Sequence, residues 1–96
     1  MEAPVISADV LALYAGDAAQ EVAGVSGLTR GAAEVTSSPE KSDVVVHLEL
    51  EWGAGVEAVA YEVQERVMEY LGRMANIEVG AVDVVVERVG APPAKQ

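Results

Sequence analysis

An apolar pattern that changes its period once constrains the fold of this chain more than any other feature. After the Gly53-Ala54-Gly55 break, apolar residues recur at steps of one, three and four, which places them on one face of a helix. That face comprises Val56, Val59, Ala60, Val63, Val67, Tyr70, Leu71 and Met74. From Ile77 to Val89 the apolar residues alternate instead, as they do along a strand with one buried face. The pattern predicts a long helix that leads directly into a strand.

A second helix is predicted near the start of the sequence. Ser7 is a suitable N-cap, and Asp9 in the first turn suits the positive end of the helix dipole. The apolar stripe of this helix comprises Val10, Leu11, Tyr14, Ala15, Ala18 and Val22. Gly24 follows the stripe, and a glycine there favours the end of the helix.

The segment between the two helices predicts a β-hairpin. We expect a weak strand from Ala32 to Thr36 and a turn over residues 37–42, which include Pro39. From Asp43 to Trp52 the residues alternate between an apolar face and a mostly polar one, which is typical of a half-buried strand. One face of this strand carries Val44, Val46, Leu48, Leu50 and Trp52, and the other carries Val45, His47, Glu49 and Glu51.

In chain order these elements predict an α+β fold with the sequence helix, strand, strand, helix, strand. The simplest arrangement has two layers, with a three-stranded mixed sheet and both helices on one of its faces. The crossover through the long helix makes the second and third strands parallel. The 96 residues suffice for a single domain, which we place at residues 1–90. Residues 91–96 have nothing to bury, and we expect a disordered tail there.

The charge balance disfavours several classes of function. Sixteen acidic and six basic residues give a net charge of −10, which opposes binding to nucleic-acid phosphates and to anionic lipids. The sequence also lacks the GxxG clamp of KH-like nucleic-acid modules. It has no cysteine, no signal-peptide pattern and no apolar run of about 18 residues. We therefore expect a cytoplasmic protein that neither inserts directly into a membrane nor binds nucleic acid.

The sequence contains no catalytic, cofactor-binding or metal-binding signature. His47 is the single histidine, and a zinc site would need more nitrogen or sulfur ligands than one histidine supplies. Because His47 shares a strand face with Glu49 and Glu51, we expect an exposed histidine on a solvated acidic face. The Gly53-Ala54-Gly55 turn precedes a helix, but it lacks the lysine and the Ser/Thr of a phosphate loop. We expect no enzyme activity, no cofactor and no metal.

Three surfaces can contact other proteins. Tyr61 and Met68 lie roughly opposite the core face of the long helix, where they are either covered by the first helix or exposed as a docking strip. Val45, His47 and Val85 lie on the sheet face that the helices leave open. The sheet edges are the third surface. Each of these can bind a protein partner or a second copy of the chain, which would give a homo-oligomer.

Four stretches of the sequence are similar to one known family. They are Glu21–Val25 at the end of the first helix, the aromatic-glycine turn Trp52-Gly53, the VQERV run Val63–Val67 and the closing strand VDVVVERV at residues 82–89. These stretches resemble the alkaline shock protein family of bacterial envelope stress response proteins. A glycine often follows the long helix in that family, whereas this chain has Asn76.

The resemblance implies a non-enzymatic cytoplasmic scaffold or adaptor that acts in cell-envelope homeostasis through protein–protein contacts. It also implies recruitment to the membrane by a separate anchoring protein. The negative charge agrees with an anchor of protein rather than lipid, because anionic lipids repel acidic surfaces. A second interpretation, a regulatory binding subunit of a soluble metabolic enzyme, stays open at this point.

Overall fold

The computed structural model describes residues 6–92 and has two helices and four strands in that range. The elements are α1 (Ala8–Gln20), β1 (Val25–Leu28), β2 (Glu34–Ser37), β3 (Ser42–Leu50), α2 (Val56–Ala75) and β4 (Val79–Val89). Residues 1–5 of the predicted domain and residues 93–96 of the predicted tail lie outside the described residues.

Strand β3 is the centre of the sheet. β1 and β2 both pair antiparallel with one edge of β3, with Leu28 opposite Leu48 and Val35 opposite Val44. β4 pairs parallel with the other edge of β3. The sheet is therefore mixed, and the predicted α+β fold with a parallel crossover through the long helix is confirmed.

β1 is a strand that the sequence pattern did not predict. Gly24 has a φ of +98°, a value that suits glycine, and this turn directs the chain away from α1. The backbone N–H of Glu51 then donates to the carbonyl oxygen of Gly24 at 2.8 Å, which brings the following residues alongside β3. The sheet consequently has four strands instead of the predicted three.

Both helices pack on one face of the sheet and form a single core with it. The predicted inward face of β3 is confirmed, since its four apolar residues from Val44 to Leu50 are fully buried. α2 contributes Val63, Val67 and Leu71, which are also fully buried. From α1 the buried apolar residues are Leu11, Ala15, Ala18 and Ala19.

Specific capping residues define two of the helix ends that the sequence predicted. The Ser7 hydroxyl accepts a hydrogen bond from the backbone N–H of Val10 at 3.3 Å, as expected of an N-cap. At the end of α2, Asn76 adopts the left-handed conformation with φ 53° and ψ 44°. α1 ends at Gln20, earlier than predicted, because the residues before Gly24 form turns that lead into β1.

Four residues that were predicted to face the core are exposed. Val10, Val56 and Met74 lie near the ends of their helices, where no layer covers them. Trp52 is 58% exposed because β3 ends at Leu50 and the chain turns before the tryptophan can continue the alternation. The predicted stripes were therefore too long at their ends and correct in their centres.

Candidate interaction surfaces

The α2 strip, which we define as Tyr61 and Met68, is exposed on the outer side of the long helix. Tyr61 is 62% exposed and Met68 is 41% exposed. α1 packs against a different side of α2, as the edge-to-face contact between the Tyr14 and Tyr70 rings shows, with centroids 6.0 Å apart. Within residues 6–92, the first helix therefore does not cover the strip, which leaves the docking interpretation open.

One hydrogen bond connects this side of α2 to the outer edge of the sheet. Gln64 lies between Tyr61 and Met68 in the helix, at spacings of three and four residues that place all three on the same side. Its amide Nε2 donates to the carbonyl oxygen of Val82 in β4 at 3.0 Å. The α2 strip therefore lies next to the edge of β4.

The outer edge of β4 presents backbone groups that no other strand of the described chain pairs. Within residues 6–92, β4 pairs with β3 and with no other strand. The Val82 carbonyl oxygen, bound by Gln64, points away from β3. Because backbone N–H and C=O groups alternate sides along a strand, those of Val84 and Val86 also point outward. This edge can accept another strand.

The open face of the sheet, on the side away from the helices, brings the other predicted surface residues together. His47 of β3 lies opposite Val85 of β4, and Val45 lies opposite Asp83. Val85 is exposed and Val45 is half-buried. These residues share a surface, as predicted, but charged side chains interrupt its apolar part.

The expectation of an exposed His47 was wrong, because its side chain is only 10% exposed. Its Nε2 atom lies 3.5 Å from Oε2 of Glu34, and its Nδ1 atom lies 3.4 Å from Oε1 of Glu87. Nδ1 is buried and makes no hydrogen bond of acceptable geometry within the described part of the chain. These acidic side chains come from β2 and β4 on either side of His47 and cover the imidazole.

Glu87 is the centre of this polar cluster. Its carboxylate accepts two hydrogen bonds from Arg30, from Nε to Oε1 and from Nη2 to Oε2, each at 3.1 Å. The Thr29 hydroxyl also donates to Oε1 at 2.6 Å. The Arg30 hydrogen bonds, followed by the one from Thr29, lower the pKa of Glu87 from its ordinary 4.5 to about 2. The cluster therefore joins the loop after β1 to β4 across the open face.

The geometry of the cluster suits a structural role, joining the loop after β1 to β4, better than metal or ligand binding. Within residues 6–92, no three histidine, cysteine or acidic side chains are grouped so that they could hold a metal ion. A pocket of about 180 Å³ lies beside the turn between β2 and β3, with Pro39, Lys41 and Glu78 among its lining residues. Ligand sites usually occupy about 300–1,000 Å³, so this pocket is small for one.

Comparison with known proteins finds similar folds among solved structures. No family model matches the chain, and no curated protein matches it either. Among solved structures, variants of the MamM C-terminal domain are similar. A histidine-to-alanine variant has a TM-score of 0.55 at 19% identity, covering 78% of this chain and 89% of that one. The nickel form of a glutamate-to-histidine variant has a TM-score of 0.54 at 18% identity, covering 78% and 90%.

At this level of identity the likeness shows a shared fold alone. This chain has the α+β fold of the MamM C-terminal domain. The resemblance to the alkaline shock protein family stays a prediction, since no family model tests it. In the described range, neither helix is both long and apolar enough to cross a membrane.

Several residues of these surfaces were missed by the sequence analysis. Arg30 and Glu87 are 57 positions apart, and no local pattern predicts their contact. Gln64 was not singled out in the sequence, although its position three residues after Tyr61 could have signalled its place on the same side. Only the register of β4 against β3 shows that this side meets a free sheet edge.

Proposed function

We propose that this chain is a non-enzymatic adaptor domain that works through contacts with other proteins. The observation that carries the proposal is the exposed α2 strip, with an aromatic residue and a methionine on a 20-residue helix whose opposite side completes the core. Tyrosine and methionine are enriched in protein interfaces, whereas among the charged residues of this chain acidic ones outnumber basic ones sixteen to six. The strip is therefore where we place partner binding.

The role of this adaptor follows from the sequence resemblance. An alkaline-shock-like protein would act in cell-envelope homeostasis in the cytoplasm, where an anchoring protein would hold it at the membrane. The net charge of −10 supports a protein anchor, because the chain itself would be repelled by anionic lipids. The fold likeness to a C-terminal domain, by name one part of a larger protein, is consistent with a binding domain.

Affinity capture from native cell extract tests the proposal. The bait is the tagged chain, compared with a Tyr61→Glu/Met68→Glu double variant and with Leu13→Glu as the control. Leu13 is 60% exposed on α1, so the control adds a charge at an equally exposed apolar position outside the strip. We expect a partner that the wild type and the control retain and the double variant loses.

The identity of the captured partner separates the two roles. A membrane protein supports the anchored adaptor, whereas a soluble enzyme supports the regulatory subunit. A double variant that retains every partner would contradict the assignment of the strip. RNA that stays bound at high salt would contradict the charge argument against nucleic acid.

A further inference from the structure

We propose that a second copy of this chain docks on the outer edge of β4 and on the Tyr61 end of the α2 strip. The two β4 strands would pair antiparallel about a two-fold axis at Val84, and the two sheets would become one continuous sheet. This inference rests on the proposed function, because it assigns one partner to the surface described above.

The backbone geometry selects which pairings are possible. An antiparallel pair forms hydrogen bonds only where outward-pointing residues of one strand lie opposite outward-pointing residues of the other. In β4 these residues include Val82, Val84 and Val86. A register centred on Val84 places it opposite its own symmetry mate and places Val82 opposite Val86. That arrangement makes about six hydrogen bonds, two at each of the three bonded pairs. The Val82 carbonyl can accept one of these and still bind Gln64, because a carbonyl oxygen has two lone pairs.

The charges of β4 then favour this register over its neighbours. Moving the axis to residue 83 would place Asp83 opposite its own symmetry mate. Moving it to residue 85 would place Asp83 opposite Glu87, so that acids again face each other. With the axis at Val84, Asp83 lies opposite Val85. Like charges directly opposite each other destabilise a sheet, so the Val84 register is the favourable one.

The shape of β4 agrees with the same centre. Irregularities in its pairing with β3 occur where Val79 is followed by Ala81 and where Val86 is followed by Arg88. Between them the register is unbroken from Ala81 to Val86. Val84 lies in the middle of this regular segment. Its side chain packs against the core but is only partly buried, so a second strand would complete its burial.

The same axis brings the Tyr61 ends of the two α2 strips together. Val84 is two residues beyond Val82, about 7 Å along the strand. α2 runs in the opposite direction to β4, so 7 Å from Gln64 corresponds to about four or five residues toward the start of the helix. Tyr61 therefore lies close to the axis and can contact Tyr61 of the second copy. Tyr61 of α2 and the outer edge of β4 can therefore both contact the second copy about the same two-fold axis.

Electrostatic repulsion limits this association. Each copy carries a net charge of −10, and Glu57 and Glu65 flank Tyr61 at four-residue spacing on α2. Hydrogen bonding to the Glu65 carboxylate also raises the pKa of Tyr61. Salt screens repulsion between exposed charges, so the dimer should tighten as ionic strength rises.

Sedimentation equilibrium of the full chain tests the proposal, at physiological salt and at about 0.5 M NaCl. We expect a monomer–dimer equilibrium that shifts toward dimer at the higher salt. Val84→Pro removes an outward N–H, which an edge strand tolerates, and should weaken the dimer on the order of thirtyfold through the two lost central hydrogen bonds. Tyr61→Glu should weaken it also, and this second variant keeps the test decisive if the proline variant fails to fold.

A charge placed on β4 distinguishes edge pairing from pairing through the open face. In the Val84 register, Val85→Lys places the new lysine opposite Asp83 of the second copy and should tighten the dimer on the order of tenfold. Leu13→Lys changes the net charge equally on α1 and is the matched control. A dimer that used the open face would be weakened by Val85→Lys instead.

Three results would overturn the inference. They are a wild type that stays monomeric at about 1 mM in high salt, a folded Val84→Pro variant that dimerises like the wild type, and a dimer weakened by Val85→Lys. A monomeric wild type that still captures another protein through Tyr61 and Met68 would remove the dimer and leave the proposed function intact.

Discussion

Leu48 should be among the most costly residues of this fold to truncate. It is fully buried, and it lies in β3 between Leu28 of β1 and Val86 of β4. Leu48→Ala removes three carbon groups, which corresponds to about 2.4 kcal/mol of lost transfer free energy. The cavity left behind adds to this, so we expect a total loss of about 3–4 kcal/mol. A domain of this size is stable by about 5–14 kcal/mol, so the variant would lose a large fraction of its stability.

Urea denaturation followed by circular dichroism measures this loss directly. Leu13→Ala is the matched control, because the same three groups are removed from a side chain that is 60% exposed. The control should lose less than about 1 kcal/mol. Equal losses in the two variants would contradict the central position of β3 and of Leu48 within it.

Three further predictions follow from local geometry. Glu87 has a pKa of about 2 in the folded chain, so the unfolded chain binds more protons between pH 4.5 and 2. Its contribution to stability is therefore present above pH 4.5 and is lost as the pH falls through that window. Glu87→Gln should flatten this part of the stability curve in urea titrations, and an unchanged curve would refute the assignment. Gly80→Ala would place a Cβ against Cδ of Lys41 and 2.6 Å from Oδ1 of Asp43, so both side chains must move, and thermal unfolding should show a loss of about 1 kcal/mol; a neutral result would contradict this tight packing around Gly80. Ser7→Ala should cost about 1 kcal/mol by removing the cap of α1, and helicity that falls without any loss of stability would contradict this.

The central part of the fold could be predicted from sequence because its signals are local. Val44 to Leu50 alternate at a period of two, and the buried residues of α2 recur at three and four, so each element carries its own pattern. β1 carries no such signal, since four residues that include Gly27 are too few to show a period. Its position depends on backbone pairing with β3, which is a tertiary interaction.

The environment of His47 shows the same limit at the level of a single side chain. Strand alternation correctly placed it on the open face, but its burial comes from Glu34 and Glu87, which are 13 and 40 residues away. The exposure of the α2 strip was undecided for a similar reason, because the side on which α1 packs is not encoded in the period of α2. Local patterns therefore define faces, and the contacts between distant segments decide which faces are covered.

Hydrogen exchange of the β4 amides, resolved by NMR, tests most directly whether the β4 edge is where this chain makes its contacts. At low protein concentration the amides of Val84 and Val86 should exchange rapidly, while that of Val85, which points toward β3, is protected. Raising the protein concentration should slow exchange at Val84 and Val86 and leave Val85 unchanged. Exchange at Val84 that is already slow in dilute solution, or that does not depend on concentration, would contradict the account.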